Sequence, residues 1–269
     1  MRQSPARLTR ELPALLLLGA GLLLSDSAQS AALPFDPSQY PDPNALIDPK
    51  FVAAIVKTIG LGTDHRSYEP ATALGSYSVI GLDFGVDITA AKLPKEFNDA
   101  IKLAGVKNFT LQVLPIPRLH LHKSIGKWLG VGVSYIGYQN YKIYGGDAKV
   151  TFFEPEEGPT FAFRLAYSTS RIGFVQTKTW NPQLVMSRRL VFADPYLGIG
   201  YQTSTGKIQI PISYGGYAAE INAAGSARSF IAYSGIQFTL PTIGLQLTLE
   251  GDYSAAGIHT LGTKVGFSF

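Results

Sequence analysis

The C-terminal stretch Leu261–Phe269, LGTKVGFSF, alternates between two kinds of side chain. Its odd-numbered positions are mostly apolar and end with Val265, Phe267 and Phe269, whereas its even-numbered positions are small, polar or charged. Successive side chains of a β-strand point to opposite faces, so this alternation predicts a strand with one apolar face. Half-buried strands of soluble sheets share the pattern, and the rest of the chain has to show what the apolar face packs against.

Alternation of the same kind begins at Ser76 and predicts ten strands in all. The first contains Ile80–Thr89, and the ninth, Ile243–Ser254, is the most regular. The others are Phe109–Lys123, Trp128–Gln139, Lys142–Phe153, Thr160–Ile172, Phe174–Leu190, Tyr196–Thr205, Arg228–Leu240 and Ile258–Phe269. Pro115 and Pro117 interrupt the second strand, and we expect a bulge or a local bend there.

The connections between these strands fall into two groups. If neighbouring strands are antiparallel, one end of the sheet receives only short connections, and the other receives both long ones, Ala90–Asn108 and Lys207–Ala227. Lys92–Gly105, within the first long connection, has the pattern of a short amphipathic helix. An even number of strands with short turns at one end and longer loops at the other is typical of transmembrane β-barrels.

Composition and strand length favour the same fold. The chain has 28 Gly, 14 Tyr and 15 Phe but only 16% charged residues, and predicted strands of roughly ten to fifteen residues suit a tilted membrane crossing. Aromatic residues gather near both strand ends, as in a membrane-interface belt. They are Tyr135, Tyr138, Tyr141 and Tyr144 at one rim and Trp128, Phe152, Phe153, Phe161 and Phe238 at the other. We predict an all-β fold, an antiparallel transmembrane barrel of about ten strands (range about 8–12), with apolar side chains facing lipid.

The N-terminal quarter of the chain is different in character. Residues 1–30 have the basic start, apolar centre and small-residue cleavage site of a secretory signal peptide. A Pro-rich linker and a helix from Pro49 to about Gly60 follow in residues 31–75, and the barrel domain is assigned to 76–269. The helix is expected to pack against the barrel or lie at the membrane interface; a plug in the periplasmic mouth is the alternative.

With its signal peptide and alternating strands, the ending Val265, Phe267 and Phe269 resembles the assembly signal of Gram-negative outer-membrane β-barrel proteins. The resemblance implies export to the outer membrane and recognition of the last strand by the barrel-assembly machinery. It also implies contact with periplasmic chaperones, outer-membrane lipid and lipopolysaccharide. It indicates no subfamily.

If the apolar faces point outward, eleven ionisable residues line the interior. They are Asp83, Asp87, Arg118, His120, His122, Asp147, Lys149, Arg164, Glu250, Asp252 and Lys264. Acids and bases alternate between neighbouring strands, so we predict a buried network of ion pairs and hydrogen bonds, with a narrow water path. A polar core that merely fills the barrel is the alternative. A barrel of this size leaves room for side chains or one small ligand, not for a wide pore.

Two functions remain from the sequence: a narrow channel or carrier for a small solute, and a structural or surface-interaction barrel. The formal net charge of +4 is too small to predict nucleic-acid binding. His120 and His122 share one face, but no third ligand follows from the sequence, and we predict neither a metal site nor a cofactor. A hydrolase is the least favoured function, with His259, Asp252 and Ser254 as its candidate residues.

Overall fold

The computed structural model describes residues 49–74, 80–103, 112–139, 141–214, 217–240 and 242–269. Ten antiparallel strands close into a barrel in which β1 pairs with β10. The strands are β1 (Leu82–Lys92), β2 (Val113–Ile125), β3 (Leu129–Tyr138), β4 (Tyr141–Phe153), β5 (Thr160–Ile172), β6 (Val175–Ser187), β7 (Ala193–Tyr214), β8 (Tyr217–Leu240), β9 (Leu245–Ser254) and β10 (Thr260–Ser268). The predicted fold, an antiparallel barrel of about ten strands with a short N-terminal helix, is confirmed.

Two helices accompany the barrel. Helix α1 (Pro49–Gly62) begins with proline at its first position, where the missing N–H costs nothing. Helix α2 (Lys95–Leu103) lies in the β1–β2 connection, within the range predicted for it. Among the described residues, no helix has the length and apolarity needed to span a membrane. The predicted signal peptide and Pro-rich linker lie outside the described residues.

The strand faces have the predicted polarity. On β9, Leu247 and Leu249 are 41% and 45% exposed on the outer surface, whereas Gln246 and Thr248 between them are buried in the interior. On β10, Val265 is exposed and Lys264 is buried. A soluble barrel would have the opposite arrangement, with its apolar residues inside.

At the seam between β1 and β10, aromatic residues cover the outer surface. Phe84 of β1 stacks on Phe267 and Phe269, with ring centroids 5.8 and 6.0 Å apart. The backbone N–H of Phe269 also donates to the carbonyl oxygen of Leu82 at 2.8 Å. The C-terminal aromatic residues therefore help to close the barrel.

The predicted bulge in β2 is absent from the structure. β2 pairs with β1 in uninterrupted register from Lys123 to Val113, with Pro115 and Pro117 opposite Ala90 and Ile88. Pairing of β2 with β3 starts only at Leu119. The two prolines therefore lie where β2 has one neighbouring strand, and an edge of this kind tolerates a missing N–H.

The predicted long loop Lys207–Ala227 is wrong, because most of it is a hairpin. β7 and β8 pair continuously from Ala193↔Phe238 to Tyr214↔Tyr217. β6 pairs with β7 only as far as Ile208, so the hairpin extends beyond its neighbour by about 20 Å. It projects at the end that also carries α2, which we call the long-loop end; the opposite end, where β1 starts, is the short-turn end.

Candidate functional site

Residues 63–74, which follow α1 in the chain, lie inside the barrel. We call them the plug segment. Every residue from Thr63 to Leu74 is buried, and Asp64, Tyr68 and Ala71 have no exposed surface. Charged groups can be buried in this way only when the barrel wall provides partners.

Asp64 anchors the plug segment at the level nearest α1. Its carboxylate accepts hydrogen bonds from Asn181 Nδ2 at 2.6 Å and Gln202 Nε2 at 2.8 Å. Its backbone carbonyl accepts from Arg118 Nη1 at 2.7 Å. Strands β2, β6 and β7 thus hold one residue, and this residue needs no opposite charge next to its carboxylate, because amide donors stabilise it.

Glu69 is the second anchor. One carboxylate oxygen accepts from His122 Nδ1 at 2.5 Å and the other from Lys149 Nζ at 3.1 Å. Its backbone carbonyl accepts from Arg164 Nη2 at 3.0 Å. Lys149 also donates to the carbonyl oxygen of Pro70 at 2.9 Å. The bases of β2, β4 and β5 therefore converge on the plug segment.

Between these anchors, further side chains of the plug segment bind the wall. His65 Nε2 donates to Asp147 Oδ1 at 2.7 Å. Arg66 forms an ion pair with Asp252. The hydroxyls of Tyr68 and Thr89 share a hydrogen bond of 2.5 Å. The plug segment therefore contacts strands on opposite sides of the barrel.

At the short-turn end of the plug segment, neutral groups make the hydrogen bonds to the barrel wall. The backbone N–H of Ala71 donates to Ser187 Oγ at 3.1 Å, and its carbonyl accepts from Thr151 Oγ1 at 2.7 Å. The hydroxyl oxygens of Thr72 and Ser187 are 3.2 Å apart. The backbone polar groups of this extended segment are thus satisfied by the barrel wall in place of a neighbouring strand.

Helix α1 closes the long-loop end with an apolar cluster. Val52, Ile55, Val56 and Ile59 pack against Ile208 of the projecting hairpin. Phe97 of α2 and the strand ends that flank the β5–β6 turn join the same cluster. Helix α1 therefore packs against the barrel, the first of the two arrangements expected for it, and it does so at the long-loop end.

The structure buries all eleven ionisable residues assigned to the interior, none more than 9% exposed. Lys264 donates to Asp83 Oδ1 at 2.5 Å, across the β1–β10 seam. His120 contacts Asp87. Arg118 lies opposite Asp87 in the strand register, yet its Nη1 donates to the backbone carbonyl of Asp64 in the plug segment. Part of the predicted wall-to-wall pairing is thus replaced by wall-to-plug pairing.

One small cavity lies beside the plug segment. A cavity of about 10 Å³ lies among Asp64, Arg164, Gln183 and Glu250, which is close to the minimum for one water molecule. A larger groove of about 590 Å³ is open at the short-turn end, between the turns that carry Trp128, Glu156 and Arg189. Neither of these two spaces runs through the barrel as a water path.

The candidate hydrolase residues do not form one hydrogen-bonded set. The ring of His259 stacks on Tyr253 at 4.8 Å. Asp252 accepts from the Thr260 hydroxyl at 2.5 Å and pairs with Arg66, and Ser254 shares a 2.7 Å hydrogen bond with Ser229. This geometry does not support a nucleophile activated by His259.

The functional residues missed from the sequence are those of the plug segment, above all Asp64, His65, Arg66 and Glu69. Their stretch, TDHRSYEP, has no helical or strand period. The one available signal was its density of ionisable side chains immediately before a strand whose inward residues are also charged. Because its partners lie as far away as Gln202, local patterns could not identify them.

No protein-family model matches the sequence, and no curated protein matches it. Similar solved structures include Neisserial surface protein A, with 9% identity over 70% of this chain and 97% of that chain and a TM-score of 0.31. The N-terminal barrel domain of Pseudomonas aeruginosa OprF has 12% identity, coverage of 70% and 97%, and a TM-score of 0.32. The outer membrane protein Omp33 of Acinetobacter baumannii has 10% identity over 72% of this chain and 98% of that chain, with a TM-score of 0.28. At these values the fold assignment rests on the strand pairing of the chain itself.

Proposed function

We propose that this protein is an outer-membrane barrel that its own N-terminal segment closes at rest, and that it acts through its capped outer end as a surface-interaction protein. The observation that supports this best is the plug segment, which occupies the interior and binds β2, β4, β5, β6 and β7. A constitutively open channel needs a continuous water path, and the interior cavity beside the plug segment is only about 10 Å³.

Insertion into a membrane follows from the outer surface. Large apolar side chains such as Leu119, Phe230 and Leu261 are 61%, 70% and 67% exposed. A continuous apolar surface of this kind, on strands that carry their charges inward, suits hydrocarbon and would aggregate in water. Lipid and lipopolysaccharide, the barrel-assembly machinery and periplasmic chaperones are the partners that an outer-membrane location would bring.

The outer end supports the surface-interaction part of the proposal. Short turns belong to the periplasmic side of outer-membrane barrels and longer elements to the outside. The β7–β8 hairpin would then project from the cell surface, supported by the apolar cluster of Val52, Val56 and Ile208. A hairpin whose base packs against α1 presents an extended surface to a partner, whereas a channel has no evident need for it.

A gated channel for a small solute is the second candidate. The contacts that anchor the plug segment at Asp64 and Glu69 are polar, and water can replace such contacts. Only its short-turn end, at Ala71, packs in an apolar cluster of the wall. Lys149, Arg164 and Asp147 would line the space vacated by the plug segment. Displacement of the plug segment would therefore leave a charged, wettable lumen.

Conductance in planar bilayers distinguishes the two. We expect the wild-type protein to show no stable unitary steps, because the plug segment fills the lumen. The double variant Asp64→Ala/Glu69→Ala removes both anchors, and Lys127→Met, on an exposed turn, is the control. Steps in the double variant alone would favour the gated channel, and silence in all three would favour the surface-interaction protein. Stable steps from the wild type would refute the closed resting state.

A further inference from the structure

A cluster of imidazole and carboxylate groups lies where the plug segment meets β2 and β4. His65, His122 and Asp147 each offer one ligand-type atom, a ring nitrogen or a carboxylate oxygen, and these three atoms lie within 4.8 Å of one another. His65 belongs to the plug segment, and the other two residues belong to the barrel wall. The three side chains are almost completely buried.

The strand register explains why the wall residues meet. Gly132 of β3 lies opposite His122 on one side and opposite Asp147 on the other. Because Gly132 has no side chain, the two neighbours reach toward each other across β3. A Cβ at position 132 would overlap both the His122 ring and Asp147 Oδ1. Glycine here keeps open the space between two ligand-type side chains.

Both rings are held by their other nitrogen. Nδ1 of His122 donates to Glu69 Oε1 at 2.5 Å, and Nδ1 of His65 shares a 2.8 Å hydrogen bond with Ser134 Oγ. Histidines that bind metals are oriented in this way, by a carboxylate or another oxygen acceptor on the nitrogen opposite the metal. The two Nε2 atoms are thereby directed at Asp147.

One ligand atom in the cluster lacks a partner. Nε2 of His122 makes no hydrogen bond, although the side chain is only 2% exposed. It faces Asp147 Oδ1 at 3.7 Å, whereas His65 Nε2 lies 2.7 Å from the same oxygen. Ligands of a tetrahedral zinc ion are separated by about 3.3 Å, between these two distances.

We propose that His65, His122 and Asp147 bind one divalent transition-metal ion, with Zn²⁺ as the best-suited ion. Two imidazole nitrogens and one carboxylate oxygen form a ligand set typical of zinc, and water completes a tetrahedral site. Zn²⁺ takes the position of the Nε2 proton of His65, whose ring proton then resides on Nδ1 and is donated to Ser134 Oγ. No proton is released from this ring, because only its tautomer changes.

The charge of the interior favours a dication. Around the plug segment, seven buried carboxylates face five buried Lys and Arg side chains. The carboxylates are Asp64, Glu69, Asp83, Asp87, Asp147, Glu250 and Asp252, and the bases are Arg66, Arg118, Lys149, Arg164 and Lys264. Amide donors stabilise Asp64, and with neutral imidazoles one further negative charge is left without a counterpart, which is costly to bury. A divalent cation supplies the missing positive charge.

A second group of ligand-type atoms, from Glu69, Asp83 and His122, fits a metal less well. Its two carboxylates already accept from ammonium groups, Glu69 from Lys149 at 3.1 Å and Asp83 from Lys264 at 2.5 Å. A metal ion there would lie beside two fixed positive charges. Asp147, by contrast, has Arg164 near Oδ2 at 3.5 Å and presents Oδ1 to the histidines.

The proposed ion would join the plug segment to the wall, since one ligand comes from the segment and two come from the barrel. It would hold the closed conformation in place, and it does not depend on whether the barrel conducts or binds a surface partner. Failure of the metal experiment would thus leave the conductance prediction unaffected.

The test uses the full mature protein, folded in detergent and treated with EDTA. Titration with Zn²⁺ should give one ion per chain, and Co²⁺ should produce the visible absorption of a tetrahedral site. His65→Ala and His122→Ala should each weaken Zn²⁺ binding by more than about 100-fold, beyond the effect typical of changes around the ligands. His259→Ala is the control, because His259 lies outside the cluster against Tyr253, and it should bind as the wild type does.

Two results would overturn the proposal. One is a wild-type protein that binds no Zn²⁺ and gives no Co²⁺ spectrum, a measurement that needs no variant to fold. The other is unchanged binding in His65→Ala with loss in His122→Ala, which would place the metal among Glu69, Asp83 and His122 instead. Near-UV circular dichroism shows whether each variant retains the packed barrel.

Discussion

Lys264→Met should lower the free energy of unfolding by about 3–5 kcal/mol. Lys264 Nζ donates to Asp83 Oδ1 at 2.5 Å, and the two side chains are 1% and 0% exposed. The substitution removes the ammonium and leaves a carboxylate in the interior, where an unmatched charge is costly. Because the pair joins β10 to β1, the substitution weakens the strand pair that closes the barrel.

Urea unfolding of the protein in detergent micelles, followed by tryptophan fluorescence, measures this effect. Lys127→Met, on an exposed turn, is the matched control and should change the free energy by less than about 0.5 kcal/mol. Adding Asp83→Asn to Lys264→Met removes the unmatched charge and should recover at least half of the loss. A Lys264→Met variant as stable as the control would mean that the seam is not held by this pair.

Leu249→Arg should destabilise the protein by about 2–4 kcal/mol in lipid, the cost of arginine on the lipid face near the bilayer midplane. Leu249 lies near the middle of β9, 45% exposed, and its neighbours across the strands are Ile236 and Thr263. On a water-facing surface the same change would have almost no effect. The effect of the substitution therefore shows whether the outer surface of the barrel contacts lipid or water.

Equilibrium unfolding in phospholipid vesicles measures this loss of stability. Ile243→Arg is the control, because Ile243 is 57% exposed in a turn at the barrel rim, where arginine costs only about 0–1 kcal/mol. Equal effects at the two positions, or none at Leu249, would show that the outward apolar face does not meet hydrocarbon.

The barrel was predictable because its signal is local and repeated. Strict alternation such as Leu245, Leu247 and Leu249 against Gln246 and Thr248 specifies both the strand and its two faces. Most predicted strands agree with the structure to within a few residues. The same period of two shows which residues share a face of each strand, because the apolar residues of one set all point to the same side.

The β7–β8 extension was recoverable from the sequence but was assigned to a loop. Ile208, Ile210 and Ile212 alternate with polar residues or proline, and Gly215-Gly216 has the composition of a tight hairpin turn. Pro211 and the small residues that follow obscured the pattern. A proline on a projecting hairpin is tolerated because its strand has an unpaired edge there.

The plug segment could not be derived in this way. An extended segment inside a barrel has no fixed period, because each residue faces whatever wall is nearest. His65 meets Asp147 and Asp64 meets Gln202, contacts that depend on the closed barrel. The inward charges of the wall were visible in the sequence, but no local pattern showed that another segment of the chain supplies some of their partners.

Disulfide formation between the plug segment and β6 tests the central claim most directly, namely that residues 63–74 occupy the lumen. The chain has no cysteine, and the hydroxyl oxygens of Thr72 and Ser187 are 3.2 Å apart. Thr72→Cys/Ser187→Cys should therefore form a disulfide in the folded protein, detectable by peptide mass spectrometry. The control Thr72→Cys/Leu184→Cys, with Leu184 on the outer face, should not. Free, readily labelled thiols in both double variants would contradict the account.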